Sequence, residues 1–144
     1  MSESVIIACP SCASLNRVPR EKLAQGGKCG RCGSALFGGH PVTLTDANFD
    51  AHATRSGIPL LVDFWASWCG PCRQMAPQYQ TAAQALQGQV RLVKLNTEAH
   101  PNAGAKYRIR GIPTMAVFSS GKERARQSGA MPSQAIVSWI TAHT

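Results

Sequence analysis

The sequence contains no long apolar run. No stretch approaches the roughly 18–20 apolar residues that a membrane-spanning helix requires, and the apolar segment at residues 5–9 is too short for the core of a signal peptide. Low-complexity tracts are absent as well, and the only repeat is a pair of short cysteine motifs. These features predict a cytoplasmic protein with no membrane partner.

Aromatic and acidic residues are both scarce. Aromatic residues make up 6% of the 144 residues, while 44% are hydrophobic, which is typical of a small folded protein and not of a disordered one. Seven Asp and Glu stand against 15 Lys and Arg, giving a formal net charge of +8. A positive balance of this size fits either a basic soluble surface or an affinity for acidic partners.

Cysteine is the residue that the sequence has in excess. Because no secretory segment is visible, the six cysteines are better explained as metal ligands or redox catalysts than as structural disulfides. Two CxxC motifs occupy residues 9–12 and 29–32, and a third stands far downstream at residues 69–72. A Phe-Gly-Gly-His-Pro segment lies between them. We therefore predict a cysteine module at residues 1–36, a linker at 37–41 and a larger domain at 42–144.

The first four cysteines are predicted to bind one structural zinc ion. Two CxxC knuckles can present four thiolates in the tetrahedral geometry that Zn²⁺ prefers, and a site closed by four protein ligands leaves no position for substrate. A module this short also has too few apolar side chains to fold without such a staple. A disulfide-forming pair or an iron centre remains an alternative. The predicted ligands are Cys9, Cys12, Cys29 and Cys32.

The four histidines lack the spacing of metal ligands. His40 follows the second knuckle closely, but four cysteines already complete the predicted site. We interpret all four as surface residues: His40, His52, His100 and His143.

From residue 42 onward, strand-like and helix-like patterns alternate. The apolar run at residues 60–65 predicts a central buried strand, and Pro71 predicts the first turn of a helix that Pro77 should kink. The other expected strands are at residues 42–44, 90–95, 114–119 and 124–127, and the other expected helices are at 46–54 after a Thr45 cap, 99–107 and from 132. Together they predict an α/β fold: a mixed central sheet with helices on both faces.

The downstream pair is predicted to be a reactive dithiol. Cys69 lies between a strand and a helix N-terminus, where free amides and the helix dipole favour a thiolate over a thiol. Cys72 follows within the first turn, close enough to form a disulfide with Cys69. A second zinc site is excluded because no further cysteine or suitably spaced histidine pair remains.

The residues around this dithiol resemble a known family. The sequence VDFWASWCGPC at residues 62–72, followed by Met-Ala-Pro at 75–77, resembles the active-site signature of thioredoxins, and Arg-Gly-Ile-Pro-Thr at 110–114 resembles their cis-proline loop. The similarity covers residues 41–144. The cysteine module resembles the N-terminal extension of the zinc-containing thioredoxin 2 group. Ser67 and Arg73 depart from the common pattern, in which an acid and a lysine are frequent.

The resemblance implies a thioredoxin fold with a zinc-ribbon-like module and the following roles. Cys69 attacks a substrate disulfide, and Cys72 then attacks Cys69 to release the reduced substrate. Asp63, isolated in an apolar strand, has a raised pKa and accepts the proton of Cys72, with Lys94 as its partner. Pro113 lies opposite the dithiol after a cis bond. The substrate-binding surface includes Trp68, Gly70, Pro71, Ile112, Pro113, Gly129 and Ala130, and Trp65 supports it from beneath.

The function expected from these features is protein-disulfide reduction by a monomer. By resemblance, its partners are disulfide-containing proteins and an NADPH-dependent thioredoxin reductase, and the redox domain needs no cofactor. The alternative is a zinc-ribbon module that recruits partners or nucleic acid, but it lacks an aromatic stacking stripe, so we expect no nucleic-acid partner. A third hypothesis, compatible with the first, is that oxidation of the four cysteines ejects zinc and changes activity.

Overall fold

The computed structural model describes residues 3–144, which form a small two-stranded sheet and a five-stranded sheet. The elements are β1 (Ser4–Ala8), β2 (Leu15–Pro19), a 3-10 helix (Arg20–Gln25), β3 (Val42–Leu44), α1 (Phe49–Arg55), β4 (Leu60–Trp65), α2 (Gly70–Ala85), β5 (Arg91–Asn96), α3 (Pro101–Lys106), β6 (Thr114–Ser119), β7 (Lys122–Ser128) and α4 (Ser133–Ala142).

The larger sheet is mixed, with strand order β3-β5-β4-β6-β7. β3, β5 and β4 are parallel, whereas β6 and β7 are antiparallel to their neighbours. β4 is central and fully apolar apart from Asp63, because both of its faces are covered by helices. The predicted mixed sheet is therefore confirmed, as are the strands predicted at residues 42–44, 60–65 and 114–119.

Alternate residues of β4 enter two separate cores. Leu60, Val62 and Phe64 pack with α1 and α3 on one face, while Leu61 packs on the other face with α2 and α4. Asp63 has the same parity as Leu61 and therefore faces α2. The period of two thus places the carboxyl group under the helix that carries the dithiol.

The prediction of a helix at residues 46–54 was wrong at its start. Asn48 Oδ1 accepts a hydrogen bond of 2.7 Å from the Thr45 amide, and Thr45 Oγ1 accepts from the amides of Ala47 and Asn48 at 3.2 and 3.3 Å. These reciprocal bonds are those of a capping turn with Thr45 as the cap, as predicted, and the Phe49 amide donates to the Thr45 carbonyl at 3.0 Å. The regular helix α1 nevertheless begins only at Phe49.

The N-terminal module packs against the end of the large sheet where β4 and β5 begin. The Gly57 amide, just before β4, donates to the Ile6 carbonyl at 2.6 Å, and Ile58 joins the apolar core of the module. Phe37, the first residue of the predicted linker, is buried in that same core. The boundaries at 1–36, 37–41 and 42–144 remain a prediction.

Candidate functional site

The dithiol lies at the opposite end of β4, where that strand leads into α2. Cys69 is the N-cap of α2 and is joined to Cys72 by a disulfide, with the two Cα atoms 5.2 Å apart. The Cys72 amide donates to Cys69 Sγ at 3.2 Å. Free amides at the first turn of a helix, together with its dipole, favour negative charge on this sulfur. The geometry is suited to a Cys69 thiolate.

An exposed apolar side chain lies next to the buried disulfide. Trp68 is 68% exposed, an unusual position for a large aromatic side chain, whereas both cysteines are buried. Gly70 begins α2, and Pro71 follows it on the exposed surface. An exposed apolar surface next to a reactive sulfur can bind part of another protein.

The loop before β6 lies against the disulfide. The Ile112–Pro113 bond is cis, as predicted, and the Ile112 carbonyl oxygen is 3.7 Å from Cys69 Sγ. The Gly129 amide donates to the Pro113 carbonyl at 2.9 Å, which brings Gly129 and the exposed Ala130 to the same side. The structure thus brings together the residues predicted to bind substrate.

Asp63 is completely buried, and neither carboxyl oxygen has a hydrogen-bond partner within residues 3–144. Burial raises its pKa from 3.8 to about 7, against the opposing effect of the Lys94 ammonium. Asp63 and Lys94 are register partners on β4 and β5. The Lys94 ammonium also lies 4.6 Å from the ring centre of Trp65. A carboxyl group with this pKa can gain or lose a proton near neutral pH.

The four cysteines of the module converge on one point. Their sulfur atoms all lie within 4.8 Å of one another, and the pairs Cys9–Cys32 and Cys12–Cys29 are 3.6 and 3.7 Å apart. A tetrahedron of four sulfurs at the usual Zn–S bond length has edges of about 3.8 Å. The donor set and its spacing therefore fit Zn²⁺.

The two knuckles have matching backbones. Ala13 and Gly33, each directly after the second cysteine of its motif, adopt positive φ values of 63° and 79°. The amides of Ser11 and Arg31 donate to the sulfurs of Cys9 and Cys29 at 3.3 and 3.4 Å. Amides directed at sulfur stabilise thiolates, which is the protonation state that binds metal.

Two buried ionisable residues were not foreseen. His52 is 1% exposed, so its predicted surface location was wrong: it lies on the inner face of α1. Arg91 is 5% exposed at the start of β5 and donates to the carbonyls of Leu36 and Ala8 at 2.6 and 3.2 Å. A single charged residue among Val90, Leu92 and Val93 was the available signal, the same signal that identified Asp63.

A cysteine pair that caps a helix at the end of a buried parallel strand, facing a cis-proline loop, defines a protein-disulfide oxidoreductase. A family model described as thioredoxin matches residues 40–142, and one described as thioredoxin 2, N-terminal, matches residues 8–34. The chain belongs to the thioredoxin family.

Relatives support this assignment over both parts of the chain. Thioredoxin C-3 from Corynebacterium nephridii is 40% identical over 136 residues, covering 94% of this chain and 93% of its own length. Thioredoxin 1 from Synechococcus elongatus is 42% identical over 100 residues, 69% of this chain and 94% of that protein. Thioredoxin from Rhodospirillum rubrum is 40% identical over 99 residues, covering 69% and 95%. Within residues 3–144, no helix has the length and hydrophobicity required to cross a bilayer.

Proposed function

We propose that this protein reduces the disulfides of other proteins in the cytoplasm through Cys69 and Cys72. The observation that carries the proposal is Cys69 at the N-cap of α2, with the Cys72 amide directed at its sulfur and the Ile112 carbonyl beside it. The thiolate of Cys69 attacks one sulfur of the substrate disulfide. A mixed disulfide forms, and the other substrate sulfur leaves as a thiolate.

The second step regenerates the disulfide of the protein. Cys72 loses its proton to Asp63 and attacks Cys69 Sγ, which forms the Cys69–Cys72 bond and releases the second substrate thiolate. The substrate gains two electrons and the protein loses two. Asp63 passes the Cys72 proton on to water, and the two substrate thiolates take up protons from water. From the family resemblance we infer that a thioredoxin reductase, which draws electrons from NADPH, reduces the Cys69–Cys72 disulfide again.

Asp63 is the proton acceptor in this scheme because it faces α2 and has a pKa of about 7 through burial. Lys94, its register partner on β5, sets how far that pKa rises. Trp68, Gly70, Pro71 and Ile112, with Pro113, Gly129 and Ala130, form the surface on which an extended substrate segment lies.

The role proposed for the module is structural. Cys9, Cys12, Cys29 and Cys32 would hold one Zn²⁺, whose closed shell stabilises the fold of the module and offers no position for substrate. The module contacts the end of the sheet where β4 begins, whereas the dithiol follows the end of β4. This separation supports a zinc site that takes no part in the exchange reaction.

The proposal is tested by NADPH-coupled reduction of insulin with thioredoxin reductase, comparing wild type, Cys69→Ser and Cys12→Ser. Cys12→Ser is the matched control, because it also replaces one sulfur by oxygen but lies in the module. We expect Cys69→Ser to be inactive and folded Cys12→Ser to retain at least about half of the wild-type rate. Activity in Cys69→Ser would overturn the mechanism, and loss of activity in folded Cys12→Ser would overturn the structural role of the module.

A further inference from the structure

Charge is unevenly distributed at the end of the sheet that carries the dithiol. Five connections meet there: those that follow β3, β4 and β5, the one between α3 and β6, and the one between β7 and α4. Arg108 and Arg110 lie in these connections, as do two carboxylates, those of Asp46 and Glu98. Arg73, in the first turn of α2, adds a third guanidinium group. The edge around the dithiol therefore carries three guanidinium groups against two carboxylates, which leaves a positive balance.

The three arginines are exposed and not neutralised by carboxylates. Within residues 3–144, the ion pairs of 4.0 Å or less do not include Arg73, Arg108 or Arg110. The acids of the neighbouring elements are engaged elsewhere: Asp46 accepts hydrogen bonds from the first amides of α3, and Asp50 pairs with Lys106. These guanidinium groups therefore remain available to a partner.

Arg110 borders a groove beside the reactive sulfur. The groove has a volume of about 370 Å³, and its apolar lining includes Trp68, Pro101, Ile109 and Ile112. Arg73 Nη1 donates at 2.7 Å to the carbonyl of Ser67, the residue before Trp68. Guanidinium groups thus adjoin an apolar centre. This arrangement fits a segment with apolar residues next to its cysteine and carboxylates on either side.

The geometry points to acidic segments as the preferred substrates: protein disulfides flanked by Asp or Glu, recognised by Arg110, Arg73 and Arg108. This inference rests on the disulfide exchange proposed above and names the class of substrate for that reaction. Charge complementarity at an exposed rim acts mainly on the rate of encounter and on discrimination between partners. The preference should therefore weaken as salt screens the charges.

The preference can be measured with the reduced full-length protein and three peptides. Each peptide has one disulfide and the same apolar neighbours, with two flanking residues that are both Glu, both Gln or both Lys. We expect the second-order rate constant for peptide reduction to decrease from Glu to Gln to Lys, with the Glu peptide about tenfold faster than the Lys peptide at low salt. At about 0.5 M salt this ratio should fall below about threefold.

Variants assign the preference to the arginines. Arg110→Gln and Arg73→Gln should each reduce the Glu-to-Lys ratio about two- to threefold, and Arg110→Lys should retain it. Arg124→Gln is the matched control: Arg124 is exposed on β7 and donates to the Ser119 carbonyl, toward the other end of the strand. It should leave the ratio unchanged.

Equal rates for the Glu and Lys peptides at low salt would overturn this inference. An effect of Arg124→Gln as large as that of Arg110→Gln would overturn the assignment to the dithiol edge. Failure of the wild type to reduce any of the three peptides would instead contradict the proposed function, so the two failures are distinguishable.

Discussion

At the scale of single residues, the fold buries Asp63, Arg91 and His52, whose side chains can carry charge near neutral pH. Each is isolated among apolar neighbours, which makes its charged form costly unless a partner compensates it. Arg91 has carbonyl partners, whereas the carboxyl of Asp63 and Nε2 of His52 have none within residues 3–144. Asp63 and His52 should therefore make stability depend on pH.

Asp63→Asn is expected to stabilise the protein above neutral pH. The folded protein holds a proton on Asp63 up to a pKa of about 7, whereas the unfolded chain releases it at 3.8, so stability falls as pH rises between these values. At about 1.4 kcal/mol per pH unit, the loss reaches at most about 4 kcal/mol. Urea unfolding should show the variant to be more stable at pH 8 and equal to wild type near pH 4.

The exposed residue Asp50 provides the matched control for that experiment. Asp50→Asn makes the same change from carboxyl to amide outside the core, and it should not reproduce the gain in stability at pH 8. If Asp63→Asn gives no gain in stability at pH 8, burial does not raise the pKa of the Asp63 carboxyl group. Its proposed role as a proton acceptor near neutral pH then loses its basis.

His52 should destabilise the protein in acid. Burial, with a smaller contribution from Arg91, lowers its pKa from 6.5 to about 4. Between these pH values His52 binds a proton in the unfolded chain but stays neutral in the folded protein. Stability is full above about pH 6.5, and about 3 kcal/mol is lost as pH falls toward 4. His52→Leu should flatten this decline in urea titrations. The same change at the exposed His143 should leave it in place.

Sequence patterns identified the chemistry of these residues unevenly. Asp63 was predicted because it stands alone in an apolar strand and six residues before Cys69. His52 was assigned to the surface because it lacks the spacing of a metal ligand, which does not tell which face of a short helix the sheet beneath it buries. The convergence of Ile112 and Gly129 on Cys69 depends on the cis bond and strand pairing, which are long-range features.

At the scale of elements, Arg91 connects β5 to the N-terminal module. Its guanidinium group donates to the Leu36 and Ala8 carbonyls and lies 4.3 Å from the ring centre of Phe37. Ala8 is the residue before the first predicted zinc ligand. The positive charge of Arg91 therefore lies close to a site that would carry a net charge of −2 when four thiolates bind Zn²⁺.

Arg91→Met should weaken the attachment of the module. The substitution keeps an apolar stem but leaves two carbonyl groups without donors, at a cost of about 3 kcal/mol. Hydrogen exchange followed by mass spectrometry should show faster exchange in β1 and β2, with the large sheet less affected. Arg17→Met, at an exposed position on β2, is the control. Unchanged exchange in Arg91→Met would show that apolar packing alone holds the module.

Element boundaries could be predicted where one signal dominated. The strands at residues 60–65 and 114–119 were predicted to the residue because short apolar runs end at polar or turn residues. The start of α1 was missed because Thr45 and Asn48 form a turn with each other before the helix begins. The cap residue Thr45 could be predicted, but it does not determine whether the residues directly after it form regular helix or a turn.

At the scale of the whole molecule, the two cysteine centres lie toward opposite ends of β4. The Gly57–Ile6 hydrogen bond marks the end with the module, and Cys69 caps α2 after the other end. Six residues of extended chain span about 20 Å. The fold also shows where part of the net charge of +8 lies, because Arg73, Arg108 and Arg110 are at the dithiol edge. The molecule combines a docked module with a separate exchange site.

In the proposed exchange, Cys69 attacks the substrate first and Cys72 then resolves the mixed disulfide. This order has a covalent signature. It is tested most directly by mixing reduced Cys72→Ser with insulin, isolating the covalent adduct and locating its disulfide by peptide mass spectrometry. We expect a stable mixed disulfide at Cys69, and no adduct with Cys69→Ser under the same conditions. An adduct that forms through Cys72 in Cys69→Ser, or through any cysteine of the module in place of Cys69, would contradict it.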